Sequence, residues 1–163
     1  MTTATLTAAP TRTTTWELDR GRCAAEVSLA LPGATIWRAR LRPVTARLTG
    51  PDGPADTVTL TATLFPRPIM TSLPLSRFLF LRRTPRTTQL RLTAQGETGE
   101  PARLIGEIVL GARAWPIRLV LRRTPIDDAR VLVTVAGRVV RPMTTFPGAV
   151  VDVEAVAEFV RCD

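Results

Sequence analysis

Residues 104–121 read LIGEIVLGARAWPIRLVL, two β-branched, apolar runs parted by a short break that carries Gly111, Arg113 and Pro116. Two facing strands are the natural reading. In the second run Trp115, Ile117, Leu119 and Leu121 share one parity while Arg118 and Arg122 take the other, the period-two pattern of a strand with one buried face. The first run differs, because Ile105 and Val109 lie on one parity and Ile108 and Leu110 on the other. A strand apolar on both sides is either sandwiched between layers or part of a wall around an apolar cavity. A packed sandwich is a scaffold, whereas a lined cavity is a binding site.

Outward from this hairpin the same period recurs. Trp16 and Leu18 flank Glu17 in a short first strand that ends at Asp19 and Gly21, and Cys23, Ala25, Val27, Leu29 and Leu31 line one face of a second, up to the Pro32-Gly33 turn. The next run changes face partway. Trp37, Ala39 and Leu41 oppose Arg38, Arg40 and Arg42, but beyond Pro43 the apolar residues are Val44, Ala46 and Leu48. A one-residue switch at a proline predicts a bulge or bend, the device that carries a long strand around a barrel corner. Past Gly50-Pro51-Asp52-Gly53-Pro54, Val58, Leu60, Ala62 and Leu64 alternate with Thr57, Thr59, Thr61 and Thr63. Leu90, Leu92 and Ala94 alternate in turn with Gln89, Arg91 and Thr93, and Gly137 interrupts a later run, Val131 to Val139.

Two segments resist this scheme. Residues 65–85, FPRPIMTSLPLSRFLFLRRTP, hold Pro66, Pro68, Pro74 and Pro85, which forbid a continuous helix or central strand, yet they are too apolar for an ordinary surface loop. They must be buried under the domain's own core, across the open end of a barrel, or against a partner subunit. The last run, AVVDVEAVAEFV, fits helical and strand spacing alike; the strands beside it need closing partners, which favours a strand. The expected fold is all-β: a single antiparallel up-and-down barrel of about eight strands, over residues 14–163, behind a disordered Thr/Ala/Pro-rich tail at 1–13.

Composition narrows the function. With 163 residues, 45% of them apolar, the chain suffices for one domain with a sizeable core. All 22 basic residues are arginine and the formal net charge is +8. That excess either coats a solvated outer face or attracts phosphate-rich partners, since guanidinium pairs bidentately with phosphate. No apolar run approaches the roughly 18–20 residues of a membrane-spanning helix, and the amino terminus lacks a secretory pattern, so a chain that is not membrane-spanning and a cytoplasmic location are expected. Cys23 and Cys162 lie where the first and last strands of a closed barrel become neighbours, so a bridge is geometrically open, although a cytosolic chain keeps its thiols reduced.

Catalytic chemistry finds little support. The chain has no histidine, the serines Ser28, Ser72 and Ser76 have no activating partner nearby in sequence, and the adjacent pair Asp127-Asp128 fits a turn. No catalytic residue, no metal ligand set and no cofactor is expected. Glycine loops of nucleotide-binding type are also missing, since Gly106 and Gly111 do not fit their spacing.

The order of several short motifs resembles the YceI-like family. These are Trp16-Glu17-Leu18-Asp19, Arg47-Leu48-Thr49-Gly50, Ser76-Arg77-Phe78-Leu79-Phe80, and above all residues 104–111 followed by Pro116 and an aliphatic strand. Arg141 with Phe146 is similar to that family's Arg-x-x-Phe-Gly step, with longer spacing and Pro147 intervening. The resemblance implies a lipocalin-like barrel that holds an isoprenoid or other long lipid in its interior, often as a homodimer. The family's Asn, Arg-Asp and His-Leu series after the fourth strand is replaced here by PRPIMTSLPLS, without its polar head-group contacts.

The expected function is therefore non-catalytic binding, sequestration or transport of a long apolar small molecule. Trp37, Leu60, Phe78, Phe80, Trp115, Ile117, Leu119 and Phe146 are its expected lining, with Ile69 and Met70 at the mouth. The alternative is a barrel that serves only as a scaffold, with Arg38, Arg40 and Arg42 and the cluster Arg82, Arg83 and Arg86 recognising an acidic protein. Nucleic acid fits less well, because the arginines do not interleave with exposed aromatic residues.

Overall fold

In the computed structural model, residues 13–51, 57–71, 89–140 and 148–162 are described, and of these the side chains of 51 and 68–71 are not. The strands are β1 (Thr13–Leu31), β2 (Ala34–Pro51), β3 (Thr57–Thr71), β4 (Leu90–Glu97), β5 (Ala102–Leu110), β6 (Arg113–Asp127), β7 (Arg130–Val139) and β8 (Val150–Cys162). Each pairs with its neighbour in the chain and β8 returns to β1, which makes a closed, all-antiparallel, up-and-down barrel. The hairpin at 104–121 forms as expected, with Leu104 opposite Leu119 and Ile108 opposite Trp115. The ambiguous last run is the closing strand.

The barrel is strongly staggered. From Ser28 on β1 the paired partners run through Asp152, Arg138, Arg118, Ile105, Gln95, Thr59 and Thr49 and rejoin β1 at Thr15, towards its other end. Such an offset means strands tilted against the barrel axis, as closure demands. Directly paired residues share a face, so alternation sorts the chain. Leu48, Val58, Leu104, Ile117, Leu119, Leu121 and Val133 point inward and are fully buried. Arginine, glutamate, aspartate and threonine take most of the opposite parity.

Several features depart from the strand-by-strand expectation. The predicted first two strands are one, β1, broken by an irregularity in which Leu18 opposes Phe159 and the next pair is already Cys23 opposite Ala157. Asp19 Oδ1 accepts the Gly21 N–H at 2.9 Å inside it, so the turn chemistry that predicted an end makes a bulge instead. The expected bend at Pro43 is present as a register shift between Pro43 and Thr45. Prolines do not stop β3, which continues through Pro66 and Pro68. Its pairing with β4 ends at Leu64 opposite Leu90, so beyond that point β3 is bonded, among the described residues, to β2.

Gly137 does not break β7, which runs on to Val139, with Gly137 paired to Leu119 on one side and Val153 on the other. A Cβ at Gly137 would meet the Leu119 side chain, so the glycine makes room for a core leucine. Gly106 is tighter still. A side chain there would run into the Thr93 carbonyl and lie 2.7 Å from the Ala94 Cβ, because β5 presses onto β4 as the wall bends. The two thiols do not meet: Cys162 is opposite Thr15 and Cys23 opposite Ala157, at separate heights along the β1–β8 seam, and both are free.

Backbone cannot yield as a flexible side chain does, so Gly106→Ala is expected to lower unfolding free energy in urea by about 3 kcal/mol. Ala136→Ser, on the exposed face of β7, should change it by about 0.5 kcal/mol or less. Equal midpoints for the two variants would remove the close β4–β5 approach from the account.

Candidate functional site

The interior surface is built from rows of inward residues that cross the strands. One row runs Trp16, Leu48, Leu60, Ala94, Gly106, Ile117 and Val139, each the register partner of the next. Another runs Ala46, Ala62, Leu92, Ile108 and Trp115. Across the seam Leu29 faces Trp37 on β2 and Val151 on β8. Thr14 is the one buried polar side chain among the described residues, and no buried side-chain polar atom there lacks a partner. Through the middle of the barrel the interior thus presents hydrocarbon, whereas at the end where β1 starts Arg123 takes the inward parity and its Nη1 lies 3.6 Å from the place of a Cβ on Gly50.

Of the expected lining, Trp37, Leu60, Trp115, Ile117 and Leu119 all belong to this inward, apolar set. Leu60, Ile117 and Leu119 are 4%, 0% and 1% exposed, so they are sealed within the packed middle of the barrel. Trp115 is half-buried and packs against that core from its edge. Trp37 and Trp115 each lie near the start of their strands, at the end of the barrel closed by the β1–β2 and β5–β6 turns. With β2 and β6 four strands apart around eight, the two indoles stand on opposite walls. Ile69 and Met70 lie on β3 beyond Leu64, but their side chains, like Phe78, Phe80 and Phe146, fall outside the described residues, as does the Arg82, Arg83 and Arg86 cluster.

Sequence reasoning did not find two features of the outer wall. Between rows of outward side chains lie two adjoining troughs, of about 400 Å³ across β1–β4 and about 510 Å³ across β4–β6, which share Thr93. Their signal was present in the threonine alternation at 57–63 and in the exposed Ile105, but nothing local says that these surfaces are concave. Ile105 is 67% exposed, so the apolar outer face of β5 is neither layered over nor part of the lumen.

Cross-strand ion pairs hold much of the outer charge: Arg47 to Glu17 at 2.6 Å, Arg38 to Glu26 at 2.7 Å, Arg138 to Asp152 at 2.7 Å and Arg22 to Glu158 at 3.0 Å. The Asp127-Asp128 pair forms the expected turn, where the Arg130 guanidinium and then the Ala129 N–H hold the Asp127 carboxyl below its ordinary range. No group of three or more His, Cys, Asp or Glu side chains suited to a metal comes together among the described residues. No protein-family model matches the chain, and no curated protein matches its sequence.

Burial pushes the Cys23 thiol above its ordinary value of 9.0, because a half-buried thiolate loses hydration. Cys23 should therefore alkylate with iodoacetamide more slowly at pH 8 than free glutathione does, as peptide mapping would show. The folded chain also holds that proton more tightly than the unfolded chain. Stability is accordingly retained below pH 9.0 and declines as pH rises through the folded value, a loss that Cys23→Ala should abolish.

Proposed function

We propose that this protein binds a long apolar molecule, of isoprenoid or fatty-acyl type, inside its barrel, without catalysing its conversion. The observation that carries the reading is the chemistry of the interior. Eight strands place apolar side chains on the inner face, and Thr14, the one buried polar side chain among the described residues, lies at the other end of the barrel from the two indoles. Eight-stranded barrels lie at the size where the interior either fills with side chains or admits one small ligand. Here the middle is sealed by Ile117, Leu119 and their neighbours, which confines a guest to the end where Trp37 and Trp115 face each other across the barrel. Apolar contact contributes roughly 25 cal/mol per Å² of area removed from water, so a prenyl-sized chain needs no hydrogen bond to be held.

The likeness of its motifs to the YceI-like family supports the same reading. So does the charged and threonine-rich outer wall, the reverse of the lipid-facing band of a transmembrane barrel; no helix of the described residues is long and apolar enough to cross a membrane. A cytoplasmic carrier that pairs as a homodimer is the form we propose. The exposed Val156 and Val160 on the outer face of β8 offer an apolar surface for the second copy.

A second reading, recognition of an acidic partner, is favoured by one arrangement on β2 and β3. Arg38 is neutralised by Glu26, but Arg40 lies directly opposite Arg67, with Arg42 one inward residue away. Like charges placed opposite one another destabilise a sheet, which makes this strip a ready receptor for carboxylate or phosphate.

Native mass spectrometry of gently purified protein should reveal a copurifying lipid. Farnesol titrated into delipidated protein should change tryptophan fluorescence saturably, and Trp115→Ala should reduce affinity by about tenfold, the loss of roughly 1.4 kcal/mol of indole contact. The interior reading falls if no lipid copurifies and farnesol leaves the fluorescence unchanged.

A further inference from the structure

We infer that the outer wall carries a second site, separate from the lumen, for a phosphate monoester with an apolar substituent. The basic half is the trough across β1–β4, whose rim includes Arg20, Arg47, Arg91 and Glu17 and whose wall is set with Thr45, Thr61, Thr63 and Thr93. Three guanidiniums against one carboxylate leave a net charge of +2 over it, which matches a phosphate dianion. Arg47 is committed to Glu17 at 2.6 Å, while neither Arg20 nor Arg91 makes an ion pair with another described residue.

The β1 irregularity gives Arg20 its place. A regular strand would continue the alternation from Leu18 to Cys23, but the extra residues there, turned by Asp19 onto the Gly21 N–H, put Arg20 on the rim of a trough whose opposite side is Arg91 of β4. Bulges that re-aim one side chain recur beside binding sites. Two guanidiniums approaching from opposite sides suit a tetrahedral oxyanion, which has acceptors to spare for both and for threonine hydroxyls between them.

The second trough fixes the remainder of the molecule. It continues from Thr93 across β5 and β6, where the outward-facing Ile105, Ala114 and Pro116 give an apolar surface bordered by Glu107. Glu107 repels a phosphate, so the two halves are not interchangeable. Phosphate belongs at Arg20 and Arg91, and the apolar group lies against the outward-facing Ile105 and Ala114.

The test compares inorganic phosphate with 1-naphthyl phosphate by amide chemical shifts of the full chain at constant ionic strength. Saturable shifts are expected at Thr61, Thr63 and Thr93 with both, extending to Ile105 and Gly106 with the naphthyl ester alone, which should bind about tenfold more tightly for its buried ring. Arg20→Gln with Arg91→Gln, both at exposed positions, should weaken both probes. Ile105→Ser should remove only the advantage of the ester. Sedimentation with phosphatidic acid vesicles, against phosphatidylcholine alone, decides the source: vesicle binding that needs Arg20 and Arg91 assigns a lipid headgroup, and its absence beside ester binding assigns a soluble phosphate. Shifts spread over every exposed arginine, unchanged in the double variant, overturn the site, and equal affinity for the two probes overturns its apolar half.

Discussion

Closure of β8 onto β1 is the constraint on which the rest of this structure depends. An open meander of eight strands would leave two long unpaired edges, and closure replaces them with a continuous ladder. The stagger that carries Ser28 around to Thr15 also sets the tilt of every strand, and the tilt brings successive inward rows to bear on one another. Local strain follows from the same source. β4 and β5 bend so closely at Gly106 that no side chain fits, and β1 absorbs its extra residues in the bulge between Leu18 and Cys23. Beyond Leu64, where β3 pairs only with β2 among the described residues, the sequence carries Pro66 and Pro68.

The wall separates two chemistries. Inward parity holds apolar side chains through the middle of the barrel, with Thr14 the one buried polar residue described and Arg123 reaching towards Gly50 at one end, so stability there comes from burial and packing and is sensitive to volume. Outward parity holds arginines, carboxylates and threonines in cross-strand pairs that are well exposed to water. Exposed pairs of that kind contribute little to stability. The arginines that make no ion pair with another described residue, above all Arg20, Arg67 and Arg91, are therefore better understood through what they can attract than through what they hold together.

Legibility followed the physical range of each signal. Period-two alternation is local, and it revealed the hairpin at 104–121, the clean strand at 57–64 and the bend at Pro43. Turn residues were ambiguous, because the same Asp19 and Gly21 that can end a strand can also bulge one, and Gly137 that can interrupt a strand can instead seat Leu119 across the sheet. Among the proposed lining residues, parity placed Trp37, Leu60, Trp115, Ile117 and Leu119 correctly on the inner face. It gave no height along the barrel, and so did not distinguish Ile117 and Leu119, sealed in the middle, from Trp115 at the edge of the core.

The amino-acid sequence by itself determined the all-β class, the antiparallel order and the sorting of side chains between two faces, since each follows from neighbours a few residues apart. The tertiary structure alone decided the stagger, the separation of Cys23 from Cys162 along the seam, and the outer troughs that bring Arg20 to Arg91 and Thr93 to Ile105. Those relations depend on register across strands far apart in the chain and on the curvature that closure imposes, and no local pattern encodes either one.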